Sequence, residues 1–172
     1  MHPWSVGIDL GYGRLALNSD QSAGAPAGTF ALAFRGTRTL NELLSVSVEV
    51  GGWLLQAFNL KGLSVGEGVS TALLRVAVYP LRNAAWFIPL SAGWGSYTNN
   101  RPLRWNGDGW TWKVGMGFEI DNGSNLTTVL ATHCAAGRFG DVRNAAVTLT
   151  GRRYSVWDIQ VGVQWHFGRT TR

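Results

Sequence analysis

Three histidines and one cysteine are the residues of this 172-residue chain that could carry nucleophilic or acid–base chemistry. His2 lies near the N-terminus, His133 is followed directly by Cys134, and His166 lies near the C-terminus. Neighbouring residues in a β-strand point to opposite faces, so His133 and Cys134 do not form a nucleophile pair or a metal site there. We therefore expect no catalytic constellation, no metal site and no cofactor.

Seven charged residues stand singly in the middle of segments in which apolar residues alternate with small ones. Four are acids and three are bases: Asp9, Arg35, Glu49, Arg75, Lys113, Glu119 and Asp158. A buried charge without a partner is strongly destabilising, so charges in the interior must pair. We expect these seven side chains to form a charge network inside the protein, with a mainly structural role.

The segment Ser155 to Phe167, SVWDIQVGVQWHF, indicates which kind of element positions these charges. Its odd-numbered residues from Trp157 to Phe167 are all apolar, whereas the other phase contains Asp158, Gln160 and Gly162. Such alternation predicts a β-strand with unlike faces. It is longer than the usual strand of about 5–6 residues in globular proteins. Aromatic residues at both ends with aliphatic residues between them are typical of a strand that crosses a bilayer.

Seven earlier segments alternate in the same way, at about 4–14, 29–36, 44–51, 69–79, 86–97, 110–120 and 126–138. Long and short connections alternate between them, with long ones at about 56–66 and 139–151. Eight strands in this arrangement predict one all-β domain over residues 1–172, an antiparallel up-and-down barrel with both termini at one end. Pro89 cannot donate to a strand ladder, so we expect a bulge there.

Aromatic spacing indicates which face of the barrel is outside. Four strands carry aromatic residues eight positions apart: Trp4 and Tyr12, Trp86 and Trp94, Trp110 and Phe118, Trp157 and Trp165. Eight residues rise roughly 26 Å, and a strand tilt of about 40° reduces this to roughly 20 Å, near the apolar band of membrane barrels. We expect these residues to form two aromatic girdles and the charges to line a narrow lumen. A soluble lipocalin-like barrel, the alternative, would reverse the faces.

The run Gln160, Gly162, Trp165 and Phe167 resembles the C-terminal insertion signal of bacterial outer-membrane β-barrel proteins. In that family the final aromatic usually ends the chain, whereas residues 168–172 follow here. Residues 4–167 as a whole resemble small eight-stranded members such as the OmpA barrel and OmpX. The resemblance implies an outer-membrane location, contact with membrane lipid and lipopolysaccharide, and insertion by the barrel-assembly machinery. No signal peptide is visible before Trp4, so for an exported protein we expect a mature form with a starting Met added; an engineered variant is the alternative.

Some barrels of this size are lipid A deacylases that use a His-x-Ser pair with a glutamate. Here Ala135 follows His133 by two positions and Gly168 follows His166 by two, so the matching serine is missing. We therefore expect a non-enzymatic barrel with a plugged polar lumen and a structural or surface-interaction role carried by its loops. A lipid A-modifying enzyme, a soluble carrier and a narrow pore remain the alternatives.

The chain is basic, with a formal net charge of +5 and a pI of about 10.0. Arginines of the predicted outer loops form a possible lipopolysaccharide contact, because arginine binds phosphate bidentately. They are Arg101, Arg104, Arg138, Arg143, Arg152 and Arg153. A generic charged loop surface is the alternative. The basic residues are scattered and no binding motif presents them, so we expect no nucleic-acid partner; a monomer is favoured.

Overall fold

The predicted fold is confirmed by a computed structural model, which describes residues 4–20, 24–59, 62–82, 85–99, 105–123, 125–143 and 148–167. Eight strands are present: β1 Trp4–Asn18, β2 Ala27–Asn41, β3 Leu44–Asn59, β4 Gly62–Val78, β5 Trp86–Asn99, β6 Trp105–Asp121, β7 Leu126–Arg143 and β8 Thr148–Phe167. Each strand pairs antiparallel with the next, and β1 pairs with β8, which closes the barrel. Among the described residues no helix is long and apolar enough to cross a membrane.

The barrel has two distinct ends. Trp4 and Phe167 are register partners at one of them, which also carries the links from β2 to β3, β4 to β5 and β6 to β7; we call it the terminal end. The opposite end carries the links after β1, β3, β5 and β7 and is called the loop end. Because the strands run antiparallel, every second link falls at the same end.

Side-chain exposure confirms that the apolar phase faces outward. Leu10 is 61% exposed and Leu74 is 58% exposed, whereas Asp9 and Arg75 are almost completely buried in the lumen. Among the described side chains of the strands, most large apolar ones lie outside, whereas the lumen holds charged, small and aromatic side chains and a few aliphatic ones such as Leu15 and Leu73. An exterior of this kind matches the lipid-facing wall of a membrane barrel and excludes the lipocalin-like arrangement, which places its apolar face inside.

The strands are longer than the alternation predicts, and two predicted long connections are wrong. β3 and β4 extend to Asn59 and Gly62, so most of the predicted connection at 56–66 is paired strand. β7 and β8 extend to Arg143 and Thr148 in the same way, through most of 139–151. Backbone pairing thus continues past the segments in which the sequence alternates.

The bulge expected at Pro89 is absent. Phe87 pairs with Gly117 and Leu90 pairs with Val114, so β5 and β6 keep one register across the proline. Pro89 also keeps its place opposite Ala77 on β4. The missing N–H therefore interrupts the ladder toward β6 locally without shifting it. Among the described residues, register shifts lie near the strand ends, for example between Leu55 and Gln56.

Candidate functional site

Two groups of buried ion pairs lie in the middle of the lumen. Arg35 on β2 donates to Asp9 on β1 at 3.1 Å. Glu49 on β3 faces two cations, Arg75 on β4 at 3.7 Å and Lys113 on β6. Their inward positions follow from strand phase, since the residues on either side of each lie on the outer wall. The ion pairs tie β1 to β2 and β3 to both β4 and β6 across the barrel interior.

Asp158 on β8 forms a third buried group, held by different partners. Trp53 Nε1 donates to Asp158 Oδ2 at 2.5 Å, and Gln160 Nε2 donates to the same oxygen at 3.2 Å. His133 Nδ1 donates to Asp158 Oδ1 at 3.1 Å. The carboxylate is thus held by an indole, an amide and an imidazole, and it links β3, β7 and β8. Within the described part of the chain, these lumen charges form ion pairs and hydrogen bonds in three groups, at Asp9, at Glu49 and at Asp158.

Glu119 lies apart from these groups, near the terminal end. Tyr79, which follows β4, donates its hydroxyl to Glu119 Oε1 at 2.8 Å. Burial, and then the neighbouring Glu119, raise the pKa of Tyr79 well above its usual range, so this hydroxyl remains a donor. Both residues line a polar cavity of about 350 Å³ that also touches Arg35, Arg75 and His166. We call this cavity the terminal vestibule.

The loop half of the lumen is filled by apolar and aromatic side chains that the sequence reading does not assign to a core. Phe139 and Tyr154 stack with ring centroids 5.0 Å apart, and Tyr97 lies 5.7 Å from Phe139. Trp53 lies 5.9 Å from Tyr154 and connects this group to Asp158. We call these four residues and their buried apolar neighbours the loop-end cluster; the neighbours are Leu15, Ala31, Val69, Ala135 and Val156.

The predicted girdle residues all lie on the outer wall, in two belts. The terminal belt contains Trp4, Trp86, Phe118 and Trp165, with Phe167 added by the structure. The loop belt contains Tyr12, Trp94, Trp110 and Trp157, with Phe30 added by the structure. Trp94 and Trp110 are register partners whose rings meet edge to face at 5.8 Å. Cross-strand pairing thus brings aromatics from different strands to one level.

The residues of the predicted insertion signal divide between the two faces of β8. Gln160 and Gly162 face the lumen, whereas Trp165 and Phe167 are exposed on the outer wall. Gly162 is required by close approach, because a Cβ at this position would collide with the carboxylate of Asp9. The facing of this segment is therefore determined on the inside by the contact of Gly162 with Asp9 and on the outside by Trp165 and Phe167 of the terminal belt.

The six arginines of the predicted lipopolysaccharide contact do not form one set. Arg101 and Arg104 lie outside the described residues, as does the side chain of Arg143. Arg138 and Arg153 are exposed on the outer wall as register partners of β7 and β8. Arg153 also pairs with Asp20 at 3.4 Å.

Arg152 differs from Arg138 and Arg153 because it lies on the lumen phase of β8. It is half-buried at the loop end, where its guanidinium lies 5.4 Å from the ring centroid of Tyr97 and 3.8 Å from Glu67. Tyr97 in turn donates its hydroxyl to Glu67. Arg152 therefore belongs to the mouth of the lumen and not to the outward-facing arginines.

The residues considered for catalysis are separated by the barrel wall. His133 is buried in the lumen against Asp158, whereas the neighbouring Cys134 is exposed on the outer wall. His166 lies at the terminal end, where its Nε2 is 2.9 Å from Thr127 Oγ1. His2 lies outside the described residues. The arrangement brings His133 to a carboxylate but places the cysteine on the opposite side of the wall.

Comparison with known proteins places the architecture among small outer-membrane barrels. No protein-family model and no curated protein sequence matches the chain. Neisserial surface protein A has a TM-score of 0.61 at 11% identity, with 96% of this chain and 97% of that one covered. Ail, the attachment invasion locus protein of Yersinia pestis, has a TM-score of 0.59 at 13% identity, covering 96% and 100%. At such identities the likeness concerns the fold, and the chain has the fold of the small eight-stranded outer-membrane β-barrel proteins.

Proposed function

We propose that this protein is a non-enzymatic integral barrel of the bacterial outer membrane, with its loop end outside the cell and its lumen closed. Its role is structural or lies in surface interaction through the loop end. The observation that carries the proposal is the outer wall, where large apolar side chains are exposed between two aromatic belts. In water such a surface would be strongly unfavourable, whereas in a bilayer it contacts hydrocarbon.

Closure of the lumen is supported by two barriers in series. The loop-end cluster fills one half with stacked rings, and the ion pairs of Glu49 cross the middle. An eight-stranded barrel has an interior just wide enough for side chains. The terminal vestibule is then a blind cavity that opens toward the periplasm, and the narrow pore becomes the less favoured alternative.

Lipopolysaccharide contact is supported by the outward-facing pair Arg138 and Arg153. Like charges directly opposite on neighbouring strands are destabilising, and Asp20 compensates only Arg153 among the described residues. Trp110, the other register partner of Arg138, belongs to the loop belt, so the arginines lie at the level expected for phosphates at the membrane surface. Ail, with a similar fold, has been solved with the heparin analogue sucrose octasulfate. A complex with a polyanion therefore has a precedent on this fold.

The membrane location is tested by the behaviour of the folded chain in detergent. We expect heat-modifiable mobility in detergent gels, because a closed barrel resists unfolding until it is boiled. The chain should also require detergent to remain monodisperse. A protein that stays soluble and monodisperse without detergent would contradict the proposal. Unchanged lipid A acylation in cells that express the protein, measured by mass spectrometry, would count against the enzymatic alternative.

The lipopolysaccharide contact is tested by Arg138→Gln and Arg153→Gln in the folded barrel. Each change removes a charged donor of a hydrogen bond worth about 1.5–3 kcal/mol, so we expect about tenfold weaker capture of lipopolysaccharide. Arg82→Gln is the matched control, because Arg82 is an exposed arginine paired with Glu42 outside the loop end. Equal losses in all three variants would indicate general charge attraction and would overturn a specific contact.

A further inference from the structure

The outer wall carries an apolar groove of about 690 Å³ between the two belts, close to the terminal end. Its floor is Gly36 on β2, which lies in register between Val6 on β1 and Val48 on β3. Phe34 borders it toward the loop end, and Trp165, the other register partner of Val6, borders it on the β8 side. The groove is thus a notch in the lipid-facing surface at the place where one side chain is missing.

Gly36 is unlike the other glycines whose surroundings the structure describes. At most of them a Cβ would press against a neighbouring atom, and the remaining ones, such as Gly123 and Gly140, have positive φ values of 72° and 65°. At Gly36 a Cβ would meet nothing within 4 Å, and φ is not positive. Neither close packing nor a positive φ requires a glycine at position 36. The structural effect of Gly36 is the notch that it leaves in the outer wall.

A cation lies directly beside the notch. Arg38 is the next outward-facing residue of β2 toward the terminal end, about 7 Å along the strand. Its guanidinium lies 5.3 Å from the ring centroid of Trp4, in the terminal belt. Within the described part of the chain no carboxylate forms an ion pair with Arg38. A guanidinium at this level has donors that fit a phosphate group bidentately.

We propose that this site holds one glycerophospholipid, with an acyl chain in the notch at Gly36 and the phosphate on Arg38. The proposal rests on the proposed membrane location, in which the terminal end faces the phospholipid leaflet. Apolar walls fit a hydrocarbon chain, and Arg38 at the terminal belt fits the phosphate that follows that chain at the membrane surface. The notch and the cation lie on one strand in the order in which a lipid presents chain and headgroup.

The test is native mass spectrometry of the detergent-solubilised barrel with added phosphatidylglycerol. Gly36→Leu fills the notch and Arg38→Gln removes the charge. We expect the unaltered barrel to retain one phosphatidylglycerol and each variant to bind it about tenfold more weakly, the loss expected for one charged hydrogen bond or one buried chain segment. Arg14→Gln is the control, since Arg14 is an outward-facing arginine beside Trp157 at the opposite belt, and it should bind as the unaltered barrel does.

Equal retention by all four proteins would overturn the site. If the unaltered barrel retained lipopolysaccharide in preference to phosphatidylglycerol, and the Gly36 and Arg38 variants lost that retention, the choice of a phospholipid would be overturned. Heat-modifiable mobility is measured on the same samples, so a barrel that shifts normally but shows no selective retention disproves the lipid site alone. Absence of the mobility shift in the unaltered protein would instead disprove the proposed membrane barrel.

Discussion

Glu49 is the residue on which the buried charges depend most, because it alone among the described carboxylates faces both Arg75 and Lys113. All three side chains are almost fully buried. Breaking a buried ion pair by removing one partner leaves an uncompensated charge, which costs far more than the pair contributes. The energetic consequence of a change here is thus set by the two cations that remain.

We expect Glu49→Gln to lower the free energy of unfolding by about 3–5 kcal/mol, as for other broken buried pairs. Glu42→Gln is the matched control, because Glu42 and Arg82 form an ion pair at 3.6 Å in which both partners are exposed. Such surface pairs contribute about 0–1 kcal/mol. Urea unfolding of both variants in lipid vesicles, followed by tryptophan fluorescence, measures the difference. Equal midpoints for the two variants would contradict burial of a charged Glu49.

Single residues show where sequence reading succeeds and where it stops. The inward phase of Asp9 and Glu49 follows from alternation, because large apolar residues lie on both sides of each of them. The contact between Asp158 and Trp53 does not follow from alternation, because the two residues are 105 positions apart in the sequence. Only the closed barrel and its register bring β3 and β8 side chains together inside the lumen. One sequence signal places this indole inside: Trp53 lies two alternations after Glu49 on β3, with Gly51 between them, and so shares its inward face.

At the scale of strands, Gly117 on β6 leaves the space that the ring of Phe87 on β5 occupies. Phe87 and Gly117 are register partners, and the Phe87 ring occupies the space that a Cβ of Gly117 would need. The ring centroids of Phe87 and Tyr79 are 5.6 Å apart, and the guanidinium of Arg75 lies 5.3 Å from the ring centroid of Phe87. The glycine therefore determines how the terminal end of the lumen is packed.

We expect Gly117→Ala to destabilise the barrel by about 1–3 kcal/mol, the usual cost of overpacking. Phe87→Leu in the same chain should recover part of this loss, because it removes the ring that the new methyl group meets. Gly36→Ala is the control and should change stability little, since a Cβ there has nothing within 4 Å. Urea midpoints of the single and double variants measure the coupling. Additive effects of Gly117→Ala and Phe87→Leu would contradict the contact.

Strand number, order and facing are predictable from this sequence, whereas strand ends and core packing are not. Alternation identifies a strand only while the two faces differ, and beyond the girdle both faces of β7 and β8 are polar or mixed. Phe139 therefore reads as part of a loop, although it continues the inward phase of His133 and Ala135. The loop-end cluster depends on these extended strands, so it is missed together with them.

At the scale of the whole molecule, the distance between the two belts should determine which membrane suits the barrel. Eight residues between belt positions give roughly 20 Å across the membrane after tilt, less than the hydrocarbon core of about 30 Å in a typical bilayer. The bacterial outer membrane is thinner than average, and each ångström of mismatch costs a fraction of a kcal/mol. A short apolar band therefore matches a thin bilayer.

We expect the folded fraction to rise as the acyl chains of the host bilayer shorten, from dioleoyl- through dimyristoyl- to dilauroyl-phosphatidylcholine vesicles. The reason is that a thick bilayer must thin around the belts, or the barrel must bury polar groups beyond Trp94 and Trp110. Heat-modifiable mobility after refolding measures the folded fraction. Ile8→Arg, which places a charge on the outer wall midway between Trp4 and Tyr12, is the companion variant and should cost about 2–4 kcal/mol in every lipid. Equal folding in thick and thin vesicles would show that the belts do not set the spanned thickness.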